Sequence, residues 1–275
     1  MARVRKVQLP WVGQPQEIAD PAQSWIDRGM VALFDTVHGV ELISNSLASV
    51  RTALPMAAKD GAPADFSTTY QRYAHRPAYA QTGPCTIAMV LDVDALTNYG
   101  HLIAKQRTNG NDIPFELRLG SGSGDSRVNL TRASASSSGG ATGSGSDLIS
   151  AGSTSVLLIA SMGFGIGPAF DLWIDGKKYS VAANDDGTGA SDDGASDLWI
   201  GQRQDGVTQL DGRIYYAALF DRQFSDAMAS ELTADRFSIY ESGSIWVPVS
   251  SGGAASPVAA NATYYQMIAQ QRIGY

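Results

Sequence analysis

Cysteine is nearly absent. The 275-residue chain holds one, Cys85, so no disulfide can form within it. Its neighbours Thr86, Ile87, Ala88 and Met89 make it a packed thiol in an apolar strand, with no redox role. Histidine is scarce as well: His38, His75 and His101 stand far apart with no Cys or His at ligand spacing, which argues against a zinc motif. Glutamate occurs only at 17, 41, 116, 231 and 241, never clustered, whereas glycoside hydrolysis uses two carboxylates flanking one bond. Positive charge is in deficit, with 20 Lys and Arg against 27 Asp and Glu for a net charge of -7. Duplex binding rests on many cationic contacts to phosphate, so nucleic acid is not the expected partner. Arg3, Arg5 and Lys6 alone form a local basic group, which reads as a solvated terminus. No apolar run approaches the length of a membrane span, and Pro10, Gly13, Gln14, Pro15 and Gln16 stand where a leader would have its apolar core. The chain reads as soluble, made in the cytosol and not bound to a membrane. No Gly-x-Ser-x-Gly elbow occurs, and GFGIG at 163–167 falls between two strand signals rather than between a strand and a helix. Without nucleophile, base and oxyanion donors in any recognisable pattern, the expectation is a protein that is not an enzyme.

What is there is a large apolar fraction, 44% of the residues, enough for a sizeable core. It is distributed in short runs: 64–74, 85–93, 100–107, 115–120, 127–133, 154–162, 170–181, 197–203 and 214–220. Each alternates or is continuously apolar, and Gly, Asn, Asp and Ser punctuate them, a pattern that predicts an all-β, antiparallel β-sandwich or jelly roll. Asp175-Gly176 between two strand halves signals a tight hairpin. Ser- and Gly-rich 134–153 predicts a flexible surface loop between strands, and 184–197, with five aspartates, a second loop.

The stretch LDGRIYYAALFDRQFSDAMASEL (210–232) carries two periodicities. Alternation sets Ile214, Tyr216, Ala218 and Phe220 on one face and Tyr215, Ala217 and Leu219 on the other, so neither faces water and a central strand is predicted. Ser225 then suits an N-cap, Asp226 the first turn, and Met228, Leu232 and Phe237 one side of a short helix that closes over an apolar surface.

The order FDLWIDGKKYSV, DLWIGQR and then LDGRIYYAALFDRQFSDAMASEL resembles the C-terminal half of the concanavalin A-like, laminin G-type jelly roll. MVALFDTVHGVELIS, GAPADFSTTYQRYA and PCTIAMVLDV are similar to its N-terminal half, so the resemblance runs over about residues 25–240. Met228 departs from it, standing where an acidic residue is usual and removing a capping-box partner. The resemblance implies a sandwich with a short C-terminal helix; it does not select among the lectins, hydrolases, adhesion modules and virion proteins built on this fold. It also implies that the acidic loop, with Asp185, Asp186, Asp192, Asp193 and Asp197, could gather calcium, against the alternative of a solvated acidic turn; no other cofactor is indicated.

Two further features bear on function. Trp173 and Trp199 lie on strands and offer either a stacking face for a glycan or, flanked by Leu and Ile, core packing. Outside the sandwich (25–243), an extended N-terminal arm (1–24) with Pro10, Pro15 and Pro21 and a C-terminal arm (244–275) carry Trp11, Trp246, Tyr264 and Tyr265 without the periodicity to bury them. Such arms on a jelly roll resemble those of tailed-phage virion proteins, although TADRFSIYES replaces the Asn-Pro-Trp segment usual there. The leading expectation is a non-enzymatic structural or decoration protein of the virion, docked through its arms on other subunits and on copies of itself. The alternative is a carbohydrate-binding module for attachment to a surface glycan.

Overall fold

The computed structural model describes residues 4–8, 15–19 and 21–240, apart from 37–38, 45, 48, 51–63, 68, 82, 98, 106–112, 121–125, 135–136, 144–147, 164–169, 180, 185–195, 205 and 207. In chain order the strands are β1 (Val4–Gln8), β2 (Pro15–Ala19), β3 (Met30–Asp35), β4 (Val40–Glu41), β5 (Ser46–Leu47), β6 (Ser49–Val50), β7 (Ala64–Asp65) and β8 (Gln71–Tyr73). They continue as β9 (Cys85–Ala95), β10 (Gly100–Lys105), β11 (Ile113–Leu119), β12 (Val128–Ser134), β13 (Ser137–Gly143) and β14 (Ser153–Met162). The last are β15 (Phe170–Ile174), β16 (Lys177–Tyr179), β17 (Val181–Asn184), β18 (Leu198–Ile200) and β19 (Asp211–Phe220). Two helices flank them, α1 (Gln23–Ile26) and α2 (Asp226–Ala234). Neither is long and apolar enough to cross a membrane.

Among the described residues the strands make two large antiparallel sheets. One runs β17-β13-β12-β11-β10-β18-β8-β6, and the other β16-β15-β14-β9-β19-β3-β4-β5 with β7 beside β19. The main core lies between them, built from Phe34, Ile87, Leu91, Phe115, Leu158 and Leu219 among others. The nine-stranded sheet has its second face covered too. There Trp25 of α1, Leu232 of α2, Phe224 and Phe237 bury Phe220, Tyr216 and Trp173 in a second core. A strand with apolar residues on both faces is what such a middle layer requires, and β19, between β9 and β3, supplies it.

The simple alternation in β19 is broken once. The register against β9 shifts between Ile214 and Tyr216, so Ile214 joins Ala217 and Leu219 in the main core while Tyr215 and Tyr216 both serve the second. The helix that follows is capped as its sequence predicts: the Ser225 hydroxyl accepts from the Met228 N–H at 3.3 Å. The Asp175-Gly176 hairpin is also found, with φ of 48° and 81°, both in the left-handed region that a two-residue turn of this hand demands.

Composition misleads at 134–153. Instead of a surface loop, Ser137–Gly143 forms β13, paired to β12 over six residue pairs and to β17 over four, and Ile149 is buried in the main core. Backbone hydrogen bonds to two neighbours hold a segment whose side chains have little strand preference. Deleting 137–143 is therefore expected to destabilise the domain by about 5 kcal/mol or more, since its residue pairs to β12 and β17 carry about ten ladder bonds at a net 0.5–1.5 kcal/mol each. Chemical denaturation checks this, and an unchanged midpoint would return the segment to the status of a loop.

Within the first 24 residues, 4–8 and 15–19 pair as a two-stranded antiparallel hairpin rather than running as a single extended arm. The packed chain begins at Pro21, which bridges to Tyr240, and the Ala22 N–H donates to Ile239 O at 2.8 Å.

Candidate functional site

The outer face of the eight-stranded sheet is where the polar chemistry collects. On β18, Leu198 and Ile200 point into the main core, and Phe115 and Leu117 do the same on β11. The residues between them point outward. Register then lines up one row across five strands: Arg72 on β8, Trp199 on β18, Ala104 on β10, Glu116 on β11 and Thr131 on β12. Ala104 is small and fully buried between Trp199 and Glu116, which are 6% and 1% exposed, so the middle of the row is closed to solvent. Adjacent strands lie about 4.8 Å apart, which sets Trp199 and Glu116 roughly 9–10 Å from each other at the backbone.

The next row is completed by a bulge. Pairing of β10 with β11 shifts between His101 and Ile103, so Leu102 and Ile103 both reach the core while His101 comes out beside Arg118. His101 and Glu116 are each 1% exposed, and Nε2 of the ring lies 3.3 Å from Glu116 Oε2. Arg118 contacts Glu116 Oε1 at 3.1 Å and carries its guanidinium 4.8 Å above the ring of Tyr99, a residue held at φ 56°. The other ring nitrogen of His101 is 2.5 Å from Thr208 Oγ1, which ties the chain after β18 back onto the sheet. Burial pushes the Glu116 carboxyl up; the His101 ring, with Arg118 and Arg203, outweighs this and leaves it below the ordinary carboxylate value.

Trp199 is 6% exposed, tilted against Tyr70 with centroids 5.0 Å apart and covered by the Arg72 guanidinium at 5.6 Å. The Arg72 side chain is itself 45% exposed and held to Asp197 at 3.5 Å. Around this pair are buried polar atoms that make no hydrogen bond: Trp199 Nε1, Gln202 Oε1 and Arg118 Nε. Each such atom carries a cost of about 1–3 kcal/mol. Gly201 shapes the exit from β18, because at φ 81° a Cβ there would lie 2.0 Å from the Phe66 ring.

Trp173, the other candidate for stacking, does not share this face. It is 3% exposed in the second core, with Lys178 4.9 Å over its ring and α2 nearby, and Lys178 is fastened to Asp171 and Asp226. Its ring packs in the second core beneath α2. Trp11, Trp246, Tyr264 and Tyr265 lie outside the described residues, as does most of the acidic loop. Asp197 at that loop's end accepts from the His75 N–H at 3.0 Å, and among the described residues no group of three or more His, Cys, Asp or Glu is arranged to hold a metal. His101, Glu116, Arg118, Gln202 and Tyr70 are not singled out by sequence. The alternation Phe115-Glu116-Leu117-Arg118 is the one local signal, since it sets two charges on the face opposite two core residues.

No family model matches the chain. No curated protein matches it in sequence either. Solved structures do match in fold. The receptor binding domain of botulinum neurotoxin mosaic serotype C/D superposes with a TM-score of 0.54 at 11% identity, over 76% of this chain and 51% of that one. The binding domain of botulinum neurotoxin DC in complex with SialylT gives 0.53 at 11% identity, over 79% and 53%. The serotype D/C VPI 5993 binding domain gives 0.52 at 9% identity, over 80% and 54%. The chain thus spans about half the length of each toxin domain it matches. With the two stacked antiparallel sheets described above, these likenesses place the chain among the jelly-roll β-sandwiches.

Proposed function

We propose that the protein is a non-catalytic carbohydrate-binding module whose ligand lies on the outer face of the eight-stranded sheet, against Trp199. The observation that carries this is the Trp199–Tyr70 pair under the half-exposed Arg72 guanidinium, with Trp199 Nε1 and Gln202 Oε1 buried and without hydrogen-bond partners. Sugars offer an apolar ring face to an aromatic and hydroxyls to the groups around it, and this arrangement supplies both. A toxin domain of the same sandwich solved in complex with SialylT supplies a precedent of fold. Glu116 supports binding rather than hydrolysis, because its cationic neighbours favour a carboxylate and a glycosidase acid must hold a proton. The virion-decoration reading rests on arms that, the β1–β2 backbone apart, fall outside the described residues; no observation on the sandwich favours it over glycan binding.

The full chain on a glycan array is expected to bind a defined subset of glycans, and Trp199→Phe to weaken that binding about tenfold, the order that loss of a good stacking face produces. Thermal unfolding of Trp199→Phe shows that the fold is kept. A blank array, or binding unchanged in the variant, would overturn the proposal.

A further inference from the structure

One end of the ladder that carries Trp199 is fastened by a lysine and a histidine. We propose that Lys105 and His75 form a pH-sensitive clasp, closed while the His75 ring is neutral and opened when the ring takes up a proton. The clasp needs no ligand and stands apart from the carbohydrate reading.

Strands β8, β18 and β10 run out together at this end. Leu198, the first residue of β18, is paired with Tyr73, the last of β8, and with Lys105, the last of β10. Lys105 is fully buried; its Nζ lies 2.9 Å from His75 Nδ1 and donates to Ser196 O. The His75 N–H donates in turn to Asp197 Oδ1 at 3.0 Å, and Asp197 Oδ2 lies 3.5 Å from Arg72 Nε. The two residues that lead into β18 are thus held from β10 on one side and from the end of β8 on the other. Arg72, fixed by the same carboxylate, lies over the Trp199 ring.

An ammonium group donates and cannot accept, so Nδ1 must offer its lone pair and the ring proton belongs on Nε2. A second proton on the ring removes that lone pair. The pair then holds two positive charges at hydrogen-bond distance where it held one, with no acceptor between them. The other charged groups at this end, among the described residues, are Arg72 on β8, Arg76 beside His75 in the chain, and Asp197. Cations outnumber the one carboxylate, whose oxygens are engaged by the His75 N–H and Arg72. Lys105 is buried and has no water to turn to, whereas His75 is partly exposed and does. As the ring turns out it draws its backbone from Asp197 and loosens the entry to β18. Histidine is the side chain that changes charge between about pH 5 and 8, so the clasp is closed at the upper end of that range and opens as pH falls through it.

The test is amide hydrogen exchange of the full chain at about pH 5.5 and about pH 7.5, corrected for the intrinsic exchange rate, in a window where histidines titrate. Protection of the segment 196–200 is expected to fall about tenfold at the lower pH, the effect of losing one hydrogen bond to a charged group. His75→Gln keeps an acceptor for the ammonium but takes up no proton, and its protection should be the same at both pH values. Lys105→Met, which removes the facing charge, should also abolish the pH dependence; if that variant does not fold, His75→Gln decides. The ¹⁵N shifts of the His75 ring should show Nδ1 bare at the higher pH. Equal protection of the wild-type segment at both pH values, the same fall in His75→Gln, or a proton on Nδ1 at the higher pH would each overturn the proposal.

Discussion

Phe220→Ala is expected to lower stability by about 3–5 kcal/mol, the range for removing a large aromatic from a core that cannot collapse. For a domain of this size that is a fall in Tm of about 10 °C. Phe220 is fully buried, edge-on to Trp25 at 5.9 Å and to Phe224 at 4.6 Å. These rings come from the helix before the first long strand, the last strand and the turn after it, so the cavity would open where three separate parts of the chain meet. Met228, half-buried on α2, provides the contrast: Met228→Ala should cost much less, because its side chain keeps contact with water in the folded state. Thermal and urea unfolding of the two variants measures the difference. Equal, small shifts would show that the second core is not a cooperative part of the domain.

Glu116→Ala is expected to cost about 3–5 kcal/mol at neutral pH, because it leaves His101 and Arg118 facing each other without the carboxylate between them. The pH dependence gives the signature. The folded-state pKa of Glu116 is lowered from 4.5, so its ionisation adds stability that is complete above about that value and is lost as pH falls through the lower folded value. The wild-type chain should therefore lose stability below pH 4.5 more steeply than Glu116→Ala, and the two melting curves should converge in acid. Parallel curves across that window would mean that the carboxylate is not stabilised by its neighbours.

The architecture was legible where side chains follow the backbone period. Apolar runs at 85–93 and 214–220 marked the two middle strands, and the Ser225 cap and Asp175-Gly176 turn marked where the chain changes direction. It was not legible at β13, where the ladder to β12 and β17 forms through main-chain groups that every residue carries. The candidate site was half legible. Trp199 stood out as an aromatic on a strand, but its face depended on whether Leu198 and Ile200 pointed inward. The company it keeps comes from residues about 80 to 130 positions away in sequence, brought together by strand order. His101 reaches that face through a one-residue bulge, which no periodicity announces.

The Pro21–Tyr240 bridge has a consequence for anything attached to this domain. A chain that enters and leaves a sandwich at one corner is topologically a cassette: it can be set into a loop of another protein without forcing that loop apart. By the same closure, two segments fused to its ends start side by side and meet at an effective concentration on the order of millimolar, as if joined by a short linker. Weak partners placed there would associate on account of the sandwich alone.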